Sequence, residues 1–505
     1  MTPQTAYTEL VTRWRKSTLF DSVGSVLGWD QRTYMPPGGS AHRSEQLALL
    51  SGIGHAMETE PRIGELLANV EHSVLVQDPT SEAAVNAREI RHVYDRAVKL
   101  PRDLVEELTR VTSQAYDVWV AARQDDDFAS FAPWLDKIVK LTRQKADAYG
   151  WQGCRYDALL DGFEPGATTA EVQALFGPLQ KDLAALVAKI THSGKRPHQK
   201  VLHSEFPVDA QVEFCKEVAA AIGFDFNAGR LDVTTHPFCS SFGPGDTRLT
   251  TRFNPKNFSD AFFGTLHEAG HGMYGQGLDT NHYGTPMGSA VGLGIHESQS
   301  RLYENFVGRS QAFWKRMMPR ARKYFPRALG RVGLDDLYFA VNDSKPSFIR
   351  VESDEATYNL HIILRFEIEQ ALVNDGLKTA DVPEAWNERF RKLFGLKVPD
   401  AARGCLQDVH WSGGGIGYFP TYTLGNLYAA QFFNTADQEL GGLEELIAHG
   451  DFQALKKWLS QKIYRQGQRY RSGKLCENVT GKPLSHRFLM DHLNTKFNAL
   501  YELAS

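Results

Sequence analysis

From Thr5 to about Asp125, apolar side chains recur at near-helical spacing among charged ones. In AAVNAREIRHVYDRAVKLPRDLVEELTRVTSQAYDVWVAAR, for example, Ile90, Val93, Val98 and Leu104 sit between basic and acidic residues. That period predicts amphipathic helices, interrupted at Pro101, which lacks a backbone N–H and crowds the preceding turn. Pro36, Pro37, Gly38 and Gly39 predict an early turn, with Ser40 as N-cap of the helix that follows. Further helices are predicted from Thr169 to about Lys189 and from Ser204 to Gly223. Between Leu231 and Asn254, LDVTTHPFCSSFGPGDTRLTTRF brings β-branched residues, alternation and Gly/Pro turn signals, which predict a small β-ribbon. After Asn257 the helical period returns almost to the end, broken by the glycine-rich loop WSGGGIGYFPTYTLGN at 411–426. No internal repeat, low-complexity tract or linker divides the chain, so one mainly α unit spanning 1–505 is expected.

A chain of 505 residues is long enough to bury one very large core, or two lobes facing each other across a groove. Hydrophobic residues at 42%, charged residues at 23% and a net charge of -4 describe an ordinary globular protein and give no support to nucleic-acid binding. The first twenty residues lack an apolar h-region and a cleavage site, so neither export nor anchoring is expected. No run reaches the roughly 18 apolar residues that span a bilayer, so no membrane role is expected either. Five scattered cysteines without a CxxC pair suit a reduced, cytoplasmic chain, where they fill the core.

The greasy, glycine-marked stretch GTLHEAGHGMYG, Gly264 to Gly275, carries the chemistry. His267 and His271 are four apart, which on a helix puts both imidazoles on one face, one turn apart, where they can share a Zn²⁺ ion. Glu268 can reach a water at that ion and take its proton as general base. Phe262, Phe263, Leu266 and Tyr274 give the helix a buried stripe, and Asn257 or Ser259 can cap its start. With 17 His in the chain, HExxH arises by chance in roughly 3 of 100 such sequences, so a third ligand has to be found. GLGIHESQSRLYENF supplies Glu297 on a second helical stretch downstream, leaving a fourth coordination position open. A His2Glu set also accepts Co²⁺ or Mn²⁺.

Eight ordered stretches resemble those of the M32 carboxypeptidases. They are WDQRTYMPPGG at Trp29–Gly39, HPF at His236–Phe238, DTRLT at Asp246–Thr250 and HEAGH at 267–271, followed by HESQSR at His296–Arg301, IRVESD at Ile349–Asp354, GCLQDVHW at Gly404–Trp411 and VTGKPL at Val479–Leu484. The resemblance implies a helical, gluzincin-like metallocarboxypeptidase whose two lobes flank a deep groove closed at one end. It further implies a cytosolic homodimer that uses zinc and is sometimes more active with cobalt. Ser353 stands where many members carry Ala, and both residues are small.

An exopeptidase has to pin its substrate's terminal carboxylate, and a bidentate guanidinium is the best side chain for that task. Arg248 and Arg350 are the candidates. Asp246 is expected to orient Arg248 from the same strand face, and Asp354 to orient Arg350 across one helical turn. A hairpin would bring His236, Pro237 and Phe238 to the same end of the groove as DTRLT, where the family's motifs close it. His410, Tyr418 and Tyr422 look similar to the oxyanion donors of related helical HExxH peptidases, on a loop whose glycines permit close approach.

The expected activity is therefore release of single amino acids from the free C-terminus of peptides, by water that Glu268 activates. An oligoendopeptidase of the same helical type is the alternative. A third reading is a catalytically silent, zinc-stabilised binding protein, against which the intact Glu268 counts, since a structural site needs a fourth protein ligand and no base.

Overall fold

The computed structural model describes residues 1–503. Its N-terminal part is an array of four helices, α1 (Pro3–Thr33), α2 (Ser40–Glu58), α3 (Pro61–Glu71) and α4 (Glu82–Lys99); α3 and α4 gather their apolar side chains on one buried face as expected, whereas α1 and α2 do not, α2 leaving Leu49 and Ile53 exposed. Pro101 ends the array as expected, standing immediately before the helix Arg102–Asp125. Ser40, by contrast, is no N-cap. Pro37–Gly39 winds into a 3-10 turn that runs straight into α2, so the cap position falls on Gly39 and Ser40 is already helical. The helix predicted from Thr169 spans Thr169–His192, with Thr168 and Glu171 forming a capping box. The one predicted from Ser204 begins only at Val208, because Pro207 takes the position before it.

Two apolar clusters hold the chain together. Ala6, Leu10, Ile63, Leu66, Leu67, Val70, Ala87 and Ile90 form a small one between α1, α3 and α4. The other runs from Val111 to Tyr501 and takes in the helices from Arg102 onward, while α2 contributes to neither. Arg88 and Arg471 tie the two together, Arg88 donating to the Gln468 carbonyl at 2.8 Å and Arg471 pairing with the buried Glu89 at 2.8 Å.

The expected β-ribbon is a three-stranded mixed sheet in the order β1-β3-β2. β2 (Cys239–Gly243) and β3 (Asp246–Thr251) form an antiparallel hairpin, while β1 (Gly229–Val233) pairs with β3 in parallel, placing Arg230 beside Arg248. Alternation along β3 gives its two faces different neighbours. Leu249 faces the helix Phe258–Gly277, where a side chain on Gly272 would collide with it at 2.8 Å. Arg248 points to the other side, its guanidinium 4.4 Å from the ring of Trp29 in α1. Among the described residues no helix is long and apolar enough to cross a membrane.

Candidate metal centre and its surroundings

HExxH lies on the helix Phe258–Gly277, here called the motif helix, and Asn257 caps it by accepting from the Ser259 N–H. The helical period sets His267 and His271 side by side, ring centroids 4.9 Å apart. Glu297 arrives on a nine-residue helix, Leu293–Arg301, whose first residues have no cap of their own. The buried Glu164 serves instead, accepting from the Gly294 N–H at 2.8 Å. This ligand helix is pressed between two others at glycines. A Cβ on Gly270 of the motif helix would lie 2.6 Å from Ser300 Cα, and one on Gly425 of the helix Pro420–Leu440 would lie 2.5 Å from Glu297 Cγ. Glycine is therefore a steric requirement at both crossings.

Crowding at these crossings places three donor atoms around one point. Glu297 Oε2 lies 3.6 Å from His267 Nε2 and 3.4 Å from His271 Nε2, and the three ligand atoms all fall within 4.8 Å of one another. Ligand atoms about 2.1 Å from a shared tetrahedral cation are separated by roughly 3.4 Å, which the two distances to Glu297 Oε2 match, so the donor set fits a divalent metal. The other oxygen of Glu297 is occupied, Oε1 accepting from Arg301 Nε at 2.7 Å. Burial would raise the Glu297 pKa, but Arg301 and the two histidines outweigh it and hold the group well below the usual carboxylate range.

Beyond Leu293–Arg301 the chain winds wider, into a π-helix over Leu302–Val307. Such turns recur at functional sites because they re-aim side chains. Here Glu304 reaches back to His267 Nδ1 at 2.8 Å and is braced by Arg301 at 3.2 Å and Arg309 at 3.6 Å. Burial opposes its ionisation, yet Arg301 and His267 bring its pKa down to about 2. Glu268, next to the first histidine, is 5% exposed, and burial raises its pKa against the pull of His267 and His271. That is the direction a general base needs.

His410, Tyr418, Tyr422 and Arg350 gather into a second cluster, near enough for the Glu297 charge to act on Tyr418. His410 Nε2 is 3.2 Å from the Tyr422 hydroxyl, and the Tyr418 and Tyr422 rings are 5.2 Å apart. Burial lifts the Tyr418 pKa to about 12, with the Glu297 charge adding to the effect, so the phenol stays a donor. Burial also brings His410 down to about 4, with Arg350 acting in the same sense, leaving it neutral. The loop bearing these groups is pinned by Glu369, which is fully buried and accepts from Trp411 Nε1 at 2.9 Å, Gly417 N at 3.1 Å and the Tyr156 hydroxyl at 2.6 Å. Gly417 takes a φ of 100°, a conformation open to glycine.

Arg350 is 6% exposed and pre-positioned. Its Nε and Nη2 each lie 2.9 Å from Asp408 Oδ1, and its Nη1 donates to the Tyr358 hydroxyl at 2.9 Å. The partner expected for it, Asp354, is elsewhere. Arg350 sits in a 3-10 turn rather than a helix, so four-residue spacing does not align the two, and Asp354 instead binds Ser344 and Thr357. Asp408 is itself shared with the buried Arg365, whose Nε lies 2.6 Å from Oδ2. Arg248 and Asp246 do form the expected pair, with two contacts of 2.8 Å, but on the sheet face turned from the motif helix, stacked against Trp29 and Phe242. His236 is exposed, while its neighbour Pro237 packs towards Gly264 of the motif helix. Reading the motifs one at a time gave no role to Glu304, Arg301, Tyr358, Asp408 or Trp29, although four of the five stand in or beside quoted stretches.

A helical protein with two histidines one turn apart, a glutamate from a second helix and a buried glutamate beside them is a metallopeptidase of the HExxH kind. The family model described as "Carboxypeptidase Taq (M32) metallopeptidase" matches residues 9–497, and the chain belongs to that family of metallocarboxypeptidases. It is 49% identical to the Thermostable carboxypeptidase 1 of Thermus thermophilus, the match covering 99% of this chain and 100% of the relative. Identity to Carboxypeptidase 1 of Bacillus subtilis is 38%, over 96% of each chain. The crystal structure of an M32 carboxypeptidase from Deinococcus radiodurans R1 superposes with a TM-score of 0.95 at 37% identity, covering 99% of this chain and 100% of that one.

Proposed function

We propose that the chain is a zinc-dependent carboxypeptidase that removes one amino acid at a time from peptides with a free C-terminal carboxylate. The observation that carries this is the convergence of His267 Nε2, His271 Nε2 and Glu297 Oε2, within 4.8 Å of one another, beside the buried carboxylate of Glu268. Two imidazoles and a carboxylate suit Zn²⁺, and Co²⁺ or Mn²⁺ as substitutes. When bound, the cation supplies Lewis-acid polarisation of the scissile carbonyl and makes water nucleophilic near neutral pH.

The protein's own groups divide the remaining work. Glu268 takes the proton of the attacking water and hands it to the leaving amine. Tyr418, Tyr422 and His410 donate to the oxyanion of the tetrahedral intermediate. Arg350 receives the terminal carboxylate, a role supported by its burial among these tyrosines with its orientation already set by Asp408. Arg248, held by Asp246, and the adjoining His236 stretch form the closed end of the groove between two lobes, within a single catalytic unit. Unpaired cysteines support a cytoplasmic setting, and homodimerisation, carried by family likeness, is tested by light scattering.

Mass spectrometry of a peptide digested over time, as free acid and as C-terminal amide, tests the reading. A ladder shortening by single residues from the C-terminus, with the amide resistant, is expected. Internal cleavage of both forms would instead identify an oligoendopeptidase.

A further inference from the structure

The two imidazoles of HEAGH are backed by different chemistry. His267 turns its Nδ1 to a carboxylate, Glu304, at 2.8 Å. His271 turns its Nδ1 to another imidazole, with His296 Nδ1 only 2.6 Å away, the ring centroids 4.6 Å apart and the planes tilted by 38°. His296 also packs against the ring of Tyr274, 5.3 Å away, whose hydroxyl accepts from the Val291 N–H at 3.2 Å.

His296 and Glu297 are consecutive residues of one helix, so their side chains leave the axis about 100° apart. They straddle His271, with Glu297 Oε2 facing its Nε2 at 3.4 Å and His296 facing its Nδ1. A hydrogen bond between two ring nitrogens requires a proton on one and a lone pair on the other. When the Nε2 lone pair of His271 is given to a cation, its proton resides on Nδ1. His296 then has to accept at Nδ1 and carry its own proton on Nε2.

We infer that His296 is a positioning residue for metal binding, a neutral acceptor that fixes the tautomer and ring orientation of His271. The arrangement suits the local charge. Glu268, Glu297 and Glu304 already crowd the centre against two nearby guanidiniums, Arg301 and Arg309. A carboxylate behind His271 would add a fourth negative charge, whereas an imidazole supplies the acceptor without one. Outer partners of this kind typically change metal affinity by about 10- to 100-fold.

The inference rests on the metal reading above, and its test separates the two. Wild type, His296→Asn and His296→Leu are stripped of metal, and zinc affinity is measured by chelator competition, alongside the melting temperature of each apo-protein and the visible spectrum of each cobalt-loaded form. Asparagine puts its Oδ1 near the place of the imidazole Nδ1 and preserves the acceptor; leucine does not. The expected result is zinc affinity about 10- to 100-fold weaker in the leucine variant with an altered cobalt spectrum, affinity within a few-fold of wild type in the asparagine variant, and apo-protein melting unchanged in both. Equal zinc affinity in wild type and the leucine variant would overturn the role of His296 alone. So would equal losses in both variants, or losses that follow a drop in apo-protein melting. Failure of wild type to bind a stoichiometric metal would overturn the metal reading together with it.

Discussion

Gly425 and Glu297 meet at a separation that no side chain on Gly425 could share, since a Cβ there would stand 2.5 Å from Glu297 Cγ and 2.6 Å from its Cβ. The obstacle is the stem of the third candidate metal ligand, held in place by Arg301, rather than a flexible tip. Gly425→Ala therefore has to push Glu297 off the line of the histidines. We expect a cost of about 1–3 kcal/mol in stability and loss of the rise in melting temperature that added zinc gives wild type. Gly473→Ala, at a helical glycine with open space around it, is the control and leaves both unchanged.

Glu268→Gln removes the proposed proton acceptor but none of the three candidate ligands. Bound metal, measured by elemental analysis, should stay at the wild-type ratio while kcat falls by roughly 10²- to 10⁴-fold. A variant that kept its rate would require another base.

Arg350→Lys keeps a positive charge beside Asp408 but loses the planar fork. Turnover of a free-acid peptide should fall roughly 10- to 100-fold in kcat/KM, with the slow cleavage of the corresponding amide unchanged. If Arg248→Lys gives the larger acid-specific loss, the carboxylate is bound at the sheet instead.

Glu369 makes stability depend on pH. Burial outweighs its three donors and raises its pKa from 4.5 to about 7. The neutral acid keeps its place because the Tyr156 hydroxyl can accept as well as donate. Between those two values the folded protein holds a proton that the unfolded chain releases, so unfolding free energy falls as pH rises through this window and levels off above it. Urea titrations at intervals from pH 4.5 to 7.5 should show a decline in wild type exceeding that in Glu369→Gln, by on the order of 3 kcal/mol across the range. Parallel curves would mean that Glu369 is ionised throughout.

How much of this was visible in the sequence depended on what sets each residue's neighbours. His267, His271 and the Asn257 cap follow from one local helical period; Arg248 stood out through its likeness to a family motif, and the period of two along a strand then supplied Asp246 as its partner. Glu297 was legible as a helical acid downstream, although its approach depends on Gly270 and Gly425, whose contacts no local pattern announces. Ser40 and Asp354 both failed at 3-10 turns, for different reasons. At Pro37–Gly39 the expected turn winds straight into the helix and leaves Ser40 inside it, whereas at Arg350–Glu352 the chain makes a 3-10 turn where a regular α-helix was expected. The true partner of Arg350, Asp408, lies 58 positions away and is set by tertiary crossing. Glu304 escaped notice because the backbone that aims it leaves the ordinary period before reaching it.

The wide winding at Leu302–Val307 has a bearing on what kinds of sequence change the centre can absorb. A π turn stores a residue more than an α turn of similar rise, and dropping Leu302 or Tyr303, which lie between the two, would swing Glu304 away from its present bearing on Glu297. The brace on His267 thus depends on how many residues the segment holds as well as on which they are. A one-codon deletion ahead of Glu304 would unseat it even if Glu304, Arg301 and Arg309 all survived.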